Sequence, residues 1–597
     1  MTDLNHNLAF RAERPSYIVL LQGAVAVVGF LIAVYTIYWV SAHHYVMPVN
    51  DDIYDRTRFI RARPSWSNFF SYLIAPHNEH RIATTRAIAL LDDYFLRGKE
   101  QLQVGLCVFL QVLMAVISVV VLAREDNERG NFAKYVFPFG VIIVLFVNPM
   151  FLYTFAIQFQ IQHTLMATLV VGLAAWMSMR IETTPSSREF AAFVAATFVL
   201  AVLATFTLGN APVLLMTCAG MAVLARWPLK FTAVLTLLAI AHVGLTFLTK
   251  EAATHDGIAS VLDLVKFALI YLGAPFIRFG PWPSSFATWS SSVTLTYLLG
   301  VAIFGIFSAA VMIRLARPRF GGRAMSFGIF VLTCIIITAF AGAYSRAGFG
   351  VLEGANKKYA SFAALGWLGA LAICIGMIRE LCARRVILGV TAVYLAAAAV
   401  VFSMSIDAGS NEMRVWQKAA DKNAESSIAV LFKVNSDALL HDLYPDPPAA
   451  SEYFHDIERR NLSVFSRYAI RWGDDMAVRF TGYKETVCKG EVERFDPIAP
   501  GDLTKVFDAP GAPFTMRGWA WMTESHAPAS YVVTVDEANR IVGFALSTRV
   551  SERAEEWLSQ KFNGNLGWYG LARLTDTGPA HFYAVSEASK EYCTINR

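Results

Sequence analysis

Residues 101–123 read QLQVGLCVFLQVLMAVISVVVLA, a stretch without a charged side chain. A helix of about 20 such residues is long enough to cross the hydrocarbon core of a bilayer. Similar runs recur along the 597-residue chain, which is 55% hydrophobic and only 16% charged, whereas an average soluble protein is about 25% charged. The composition therefore predicts a polytopic α-helical membrane protein. It excludes a soluble enzyme, a secreted disulfide scaffold and a disordered chain.

About eleven segments are long and apolar enough to be membrane spans. The first is too long for the apolar core of a signal peptide, so we expect it to remain as an anchored helix. The pair at 189–225 is also consistent with a hairpin that is pinched at Gly209 and Asn210. The segments are 17–41, 101–123, 135–154, 160–179, 189–207, 210–225, 230–249, 292–313, 325–344, 360–378 and 386–405.

The basic residues of the short loops collect on the side that carries the N-terminus, which the positive-inside rule makes cytoplasmic. We therefore expect a multi-pass protein of a bacterial inner membrane, with its C-terminal residues in the periplasm or outside the cell. The net charge of +5 is a topology signal in this interpretation and predicts no binding to nucleic acid. These basic residues are Arg11, Arg14, Arg124, Arg129, Lys134, Arg180, Arg188, Arg226, Lys230, Arg314, Arg317, Arg319, Arg323, Arg379, Arg384 and Arg385.

The chain divides by composition near residue 407. Residues 1–407 are the predicted membrane domain, with 42–100 as its first exterior loop, and residues 408–597 have a soluble composition. Residues 531–545 alternate apolar and polar side chains around a polar turn, which predicts a β-hairpin. Similar short strands are predicted at 513–521 and 578–586, so we expect a β-rich, sandwich-like exterior domain.

Cys488 and Cys593 are the only cysteines in this exterior domain. A disulfide between them suits an oxidising compartment. Two free thiols are the alternative.

Asp51 and Asp52 lie where the first span leaves the membrane. A low dielectric and a neighbouring like charge both raise the pKa of a carboxyl group. We therefore expect one of the pair to act as a general base near neutral pH, on a substrate carried by a lipid headgroup. A solvated loop edge, or a helix N-terminus that favours acids, is the alternative explanation.

The same loop concentrates polar groups between two predicted amphipathic helices, 65–74 and 82–96, that would lie along the membrane surface. So many convergent polar side chains favour a substrate-binding role over a passive connector. Three of them, His77, Glu79 and His80, are also candidate ligands of a divalent metal, although their spacing does not establish one. The polar run consists of His77, Asn78, Glu79, His80 and Arg81.

Further polar residues lie near the exterior ends of other spans, where they typically mark a lined cavity. Arg346, Lys357, Lys358 and Tyr359 suit a phosphate or diphosphate group, although lysines there can also reach towards the interface. The other candidates for substrate binding have packing or interfacial anchoring as their alternative role. They are Gln158, Gln160, His163, Asn210 and Trp282, the last of which could stack on a sugar ring.

An acidic pair at the start of a long first exterior loop, two helices along the membrane and many further spans resemble the GT-C class of integral membrane glycosyltransferases. The resemblance implies a polyprenyl-phosphate sugar as donor and an inverting transfer to a glycan, lipid or protein acceptor. Asp51 or Asp52 would then deprotonate the acceptor. Arg346, with Lys357 and Lys358, would stabilise the departing phosphate.

Two other classes of function remain open. One is a polysaccharide polymerase or ligase that uses the same kind of donor. The other is a transporter or assembly protein for lipid-linked glycans, which would carry charges near the middle of the bilayer and an internal repeat. The sequence contains no P-loop, dinucleotide-binding or HExxH motif in a supporting context.

Overall fold

The computed structural model describes residues 16–63, 65–77, 80–123, 133–181, 183–248, 260–274, 291–381, 386–499, 506–549, 551–558, 566–575 and 579–595. Within this part of the chain, ten helices are long and apolar enough to cross a membrane. A β-rich domain follows them. The predicted fold class, a polytopic helical membrane protein with a β-rich C-terminal domain, is confirmed; the domain that was expected to be sandwich-like is a single curled sheet.

The helices of the membrane region follow the apolar runs of the sequence closely, and α5 has the predicted bounds. They are α1 Ser16–Ala42, α2 Asp51–Ala62, α3 Trp66–Ile74, α4 Ala83–Phe95, α5 Gln101–Ala123, α6 Ala133–Phe146, α7 Leu152–Ala156, α8 Ile161–Arg180, α9 Ser187–Thr205, α10 Pro212–Leu224, α11 Leu229–Leu248, α12 Val261–Gly273, α13 Ser291–Ala316, α14 Gly322–Arg346, α15 Lys357–Leu381 and α16 Val386–Leu431.

Helix α10 departs from the predicted pattern because it has only 13 residues, about 20 Å of helix. Its ends nevertheless lie at opposite ends of the bundle. Asn210, just before it, shares a cavity with Arg346. Arg226, just after it, lines a pocket with Arg317. The segment therefore connects the two ends of the bundle.

Small residues allow the first helix to pack closely against the bundle. A Cβ atom added to Gly140 of α6 would lie 2.4 Å from the Cα of Ala26 in α1. Such close approach of backbones is typical of helix contacts in membranes, where dispersion rather than hydrophobic burial holds helices together.

The two helices predicted at 65–74 and 82–96 are confirmed as α3 and α4, joined by a hairpin of β1 Pro76–His77 and β2 His80–Arg81. Four aromatic residues of these helices, Trp66, Phe70, Tyr94 and Phe95, are exposed. Tyr72 is buried instead, since its hydroxyl donates a hydrogen bond to Asp55 over 2.8 Å.

Helix α16 joins the membrane region to the C-terminal domain without a break. It has 46 residues, about 70 Å of helix, and residue 407, the boundary predicted from composition, lies inside it. Short helices follow, which are α17 Asp437–Leu443, α18 Ser451–Arg459, α19 Val464–Arg467, α20 Met476–Arg479 and, later, α21 Glu552–Leu558.

The β-rich domain is one curled sheet of nine strands with the order β3-β11-β10-β7-β8-β9-β5-β4, and β6 pairs with β5. The hairpin predicted at 531–545 is confirmed as β7 and β8, which pair antiparallel with Tyr531 opposite Leu546. The strands are β3 Lys484–Glu485, β4 Cys488–Pro497, β5 Ala512–Met522, β6 Ala527–Pro528, β7 Tyr531–Val535, β8 Ile541–Arg549, β9 Gly567–Leu574, β10 His581–Ser586 and β11 Glu591–Ile595.

Cys488 and Cys593 form a disulfide, and their Cα atoms are 5.8 Å apart. Cys488 belongs to β4, at one edge of the sheet, and Cys593 belongs to β11, near the other edge. The bond therefore joins the two sides of the curled sheet.

Candidate functional site

Asp51 and Asp52 form the first turn of α2, where the helix dipole favours acidic side chains. Successive residues of an α-helix are rotated by about 100°, so neighbouring carboxylates point to different sides. The side chain of Asp51 is 62% exposed, whereas that of Asp52 is only 9% exposed. The pair predicted as one unit is therefore divided between two environments.

Asp51 lies against a buried imidazole that is shared by two carboxylates. His77 Nε2 is 3.8 Å from Asp51 Oδ2, and His77 Nδ1 is 3.7 Å from Asp55 Oδ1. These are ion-pair distances rather than direct hydrogen bonds. The Arg86 guanidinium fixes Asp55 from the other side, with Nη2 2.8 Å from Oδ1. Arg86 also donates to the backbone carbonyl of Ala75 over 2.6 Å, which anchors the turn before His77.

Asp51, His77 and Asp55 form a row of three charged groups that stabilise one another. His77 lowers the pKa of Asp51, and Lys358 adds a smaller contribution in the same direction. Burial alone would lower the pKa of His77, but Asp51 and Asp55 outweigh it and raise the pKa. Burial likewise opposes ionisation of Asp55, yet His77, Arg86 and Tyr72 bring its pKa down to about 2. The arrangement thus favours the imidazolium form of His77 between two carboxylates.

Asp52 occupies a buried charge cluster on a different face of α2. Its Oδ1 is 3.7 Å from Arg56 Nε, and Arg56 also pairs with Asp93 and, over 2.8 Å, with Glu100. Burial raises the pKa of Asp52 to about 7, although Arg56 opposes the change. The raised pKa expected for the acidic pair is therefore found at Asp52 but not at Asp51, where His77 lowers it.

The two predicted lysines point to different partners. Lys357 Nζ is 2.7 Å from Glu412 of α16. Lys358 Nζ is 2.8 Å from Glu353 and 4.9 Å from the centre of the Tyr359 ring. Lys358 also lowers the pKa of Asp51. It is therefore the lysine within electrostatic range of both Asp51 and Tyr359.

Four residues predicted from separate spans line one cavity of about 120 Å³, together with Tyr271 and Thr338. An engineered cavity of roughly 150 Å³ holds benzene, so this space suits a group of phosphate size. The side-chain nitrogen of Asn210 donates to Thr338 over 3.1 Å, and its oxygen has no hydrogen-bond partner among the described residues. The four residues are Arg346, Tyr359, His163 and Asn210.

The remaining candidates are only partly described. Gln160 is buried, and Arg81 donates to the carbonyl of Ile74 over 2.8 Å. Among the residues that the structure describes, no group of three or more His, Cys, Asp or Glu side chains could hold a metal ion. Asn78, Glu79 and Trp282 and the side chains of His80 and Gln158 lie outside the described part of the chain.

The sequence interpretation missed Asp55 and Arg86, which position His77. Asp55 follows Asp51 by four residues, a spacing that places both on one face of a helix and could have pointed to it. Arg86 is a single arginine among small and apolar residues of α4. An arginine in such surroundings calls for a carboxylate partner, but nothing in the sequence identifies which one.

Comparisons with known proteins add no further assignment, since no family model, no curated protein and no solved structure matches the chain. The class of protein is therefore defined by the fold and the site alone. The chain is a polytopic helical membrane protein with a β-rich C-terminal domain. It carries a charged site at the end of the bundle where α2 begins.

Proposed function

We propose that this protein is a glycosyltransferase of the GT-C type. It would move a sugar from a polyprenyl phosphate to a glycan, glycolipid or protein acceptor on the exterior face of a bacterial inner membrane. The observation that carries the proposal is the exposed carboxylate of Asp51, kept ionised by His77. It lies within electrostatic reach of Lys358, whose ammonium is 4.9 Å from the ring of Tyr359, and Tyr359 lines a cavity together with Arg346.

Transfer from a lipid phosphate needs a base and a cationic group at the same place. The acceptor oxygen forms a bond to the anomeric carbon while the bond from that carbon to the phosphate oxygen breaks. The acceptor proton passes to Asp51. The lipid phosphate leaves with one more negative charge than it had in the donor, and Lys358 and Arg346 stabilise that charge.

Asp51 suits the role of base better than Asp52. A general base must be ionised and must reach the hydroxyl proton. The Asp51 carboxylate is exposed and its pKa is lowered, so it is ionised over the physiological range of pH. Asp52 is enclosed with Arg56, which leaves no room for an acceptor at its oxygens.

The test compares Asp51→Asn with Asp52→Asn, the same substitution on adjacent residues. Membranes containing each variant are supplied with a panel of synthetic polyprenyl-phosphate sugars, and transfer to endogenous acceptors is followed by mass spectrometry. Because a general base contributes roughly 100- to 10,000-fold to rate, Asp51→Asn should reduce transfer by at least about 100-fold. Asp52→Asn should retain most of the wild-type rate.

Equal amounts of folded protein are established by size-exclusion elution of the purified variants. Wild-type transfer by Asp51→Asn would refute the assignment of the base. If the wild type transfers no sugar from any donor of the panel, and envelope glycans are unchanged in a deletion strain, the proposed function is wrong.

A further inference from the structure

A second polar pocket lies at the other end of the bundle, far from Asp51. Glu380, which lines it, follows Lys358 by about 33 Å along α15. The pocket has a volume of about 640 Å³, within the range of roughly 300–1,000 Å³ that is typical of ligand sites. It is formed where the ends of α8, α10 and α15 meet the turn between α13 and α14.

Three arginines from two separate turns line this second pocket, which we call the basic pocket. Arg226 comes from the turn after α10, and Arg317 and Arg319 come from the turn before α14. Among the lining residues that the structure describes, Glu380 is the one acidic side chain, so this set carries an excess of positive charge. Arginine side chains bind phosphate oxygens in a fork geometry, which makes this set suited to an anion with more than one negative charge.

Hydrogen bonds from Arg314 hold the turn that carries Arg317 and Arg319 in place. Arg314 is buried and donates to the carbonyl of Pro318, the carbonyl of Gly322 and the hydroxyl of Ser326. Gly321 has a φ of 73°, a conformation that favours glycine. Arg317 and Arg319 therefore lie on a turn whose backbone is fixed by hydrogen bonds.

A buried donor in the pocket wall provides independent support for a ligand. Trp227 lines the pocket and is only 6% exposed. Its indole Nε1–H is buried and has no hydrogen-bond acceptor among the described residues. A buried polar group without a partner is costly. A phosphate oxygen would supply the missing acceptor after a small rearrangement of the pocket wall that covers Nε1.

We propose that the basic pocket binds a phosphate monoester or diphosphate group. Positive charge at one end of a membrane protein also sets topology, but topology requires neither convergence on one pocket nor an unpaired indole donor. The phosphate can come from a membrane lipid headgroup, since basic pockets between spans bind anionic headgroups, or from a soluble phosphate compound.

The test uses the full chain in phosphatidylcholine nanodiscs and follows its thermal unfolding, because a ligand that binds the folded state raises the Tm. The lipid probe is phosphatidic acid, with phosphatidylglycerol as a monoanionic comparison. The soluble probes are glycerol 3-phosphate and inorganic pyrophosphate. The pocket variant is Arg317→Gln/Arg319→Gln, and the control is Arg188→Gln/Lys230→Gln, which removes the same charge from exposed positions that do not line the pocket.

At about fivefold per arginine, the pocket variant should bind about 25-fold more weakly, and the control should bind like the wild type. Trp227→Phe, which keeps every charge, should also bind several-fold more weakly. Stabilisation by phosphatidic acid alone identifies a lipid ligand, and stabilisation by a soluble probe alone identifies a soluble one. No stabilisation by any probe, or equal affinity in the wild type, the pocket variant and Trp227→Phe, would overturn the proposal.

Discussion

Asp52→Asn should stabilise the folded protein at neutral and alkaline pH, even though Asp52 contacts Arg56. Burial raises the pKa of Asp52 from 3.8 to about 7, so above that pH the folded state carries a carboxylate that its surroundings disfavour. Arg56 would retain Asp93 and Glu100 as partners. Asparagine has nearly the same shape and bears no charge, so the cluster loses only the disfavoured ion.

The pKa difference sets the magnitude of the effect. A pKa change of one corresponds to about 1.4 kcal/mol, so at pH 8 the ionised Asp52 costs the folded state at most about 4 kcal/mol. At pH 5 the folded carboxyl is protonated while the unfolded one is mostly ionised, and the cost is about 2 kcal/mol.

The direction of the pH effect follows from proton binding. Between pH 3.8 and about 7 the folded wild type binds more protons at Asp52 than the unfolded chain does. The Asp52 contribution to stability therefore decreases as the pH rises through this window. The advantage of Asp52→Asn over the wild type should grow by about 2 kcal/mol between pH 5 and pH 8.

The assay is denaturant unfolding of the two purified full-length proteins at pH 5, 6.5 and 8. Asp446→Asn, at an exposed position, is the control for a general loss of negative charge. If Asp52→Asn destabilises the protein by about 2 kcal/mol or more at pH 8, the Arg56 ion pair outweighs the cost of burial and the reasoning is wrong.

Three more outcomes are expected. Lys358→Gln should reduce the turnover of sugar transfer at least about tenfold, while Lys357→Gln, whose ammonium pairs with Glu412, should change it less than about twofold in the same transfer assay. Arg86→Met should lower the free energy of unfolding by about 3–5 kcal/mol, because it leaves the buried Asp55 without its guanidinium partner. Cys488→Ser should cost about 2–5 kcal/mol, and added reductant should lower the Tm of the wild type but not that of this variant.

The membrane helices could be predicted because insertion depends on local composition. A run such as 101–123 is apolar throughout, and α5 begins and ends where the run does. The short length of α10 could not be predicted from composition, because the turns on either side determine where the helix begins and ends. Helices α3 and α4 were also predictable from their amphipathic pattern, but the burial of Tyr72 was not, since its hydroxyl bonds to Asp55 of another helix.

The site could be predicted only in part. The sequence indicated Asp51 and His77 because both are polar groups of one loop, and it indicated Arg346 and Asn210 because each lies near the exterior end of a predicted span. Their convergence could not be predicted, as it requires spans that are far apart in sequence to meet. The role of Arg86 was invisible for the same reason, since its partner lies on another helix.

The spacing along α2 explains why two adjacent aspartates have different roles. Asp51 and Asp55 are four residues apart and share one face, which meets His77. Asp52 and Arg56 share another face, which meets Asp93 and Glu100.

The C-terminal domain holds α2 in this orientation. The backbone N–H of Asn50, directly before α2, donates to the carbonyl of Leu443 over 2.8 Å. At the other end of the helix, Arg61 pairs with Glu452 and Arg63 pairs with Asp456. Both ends of α2 are thus fixed by residues that lie far beyond the membrane helices in sequence. The position of the Asp51 carboxylate therefore depends on the C-terminal domain, even though that domain contributes no side chain to the row of Asp51, His77 and Asp55.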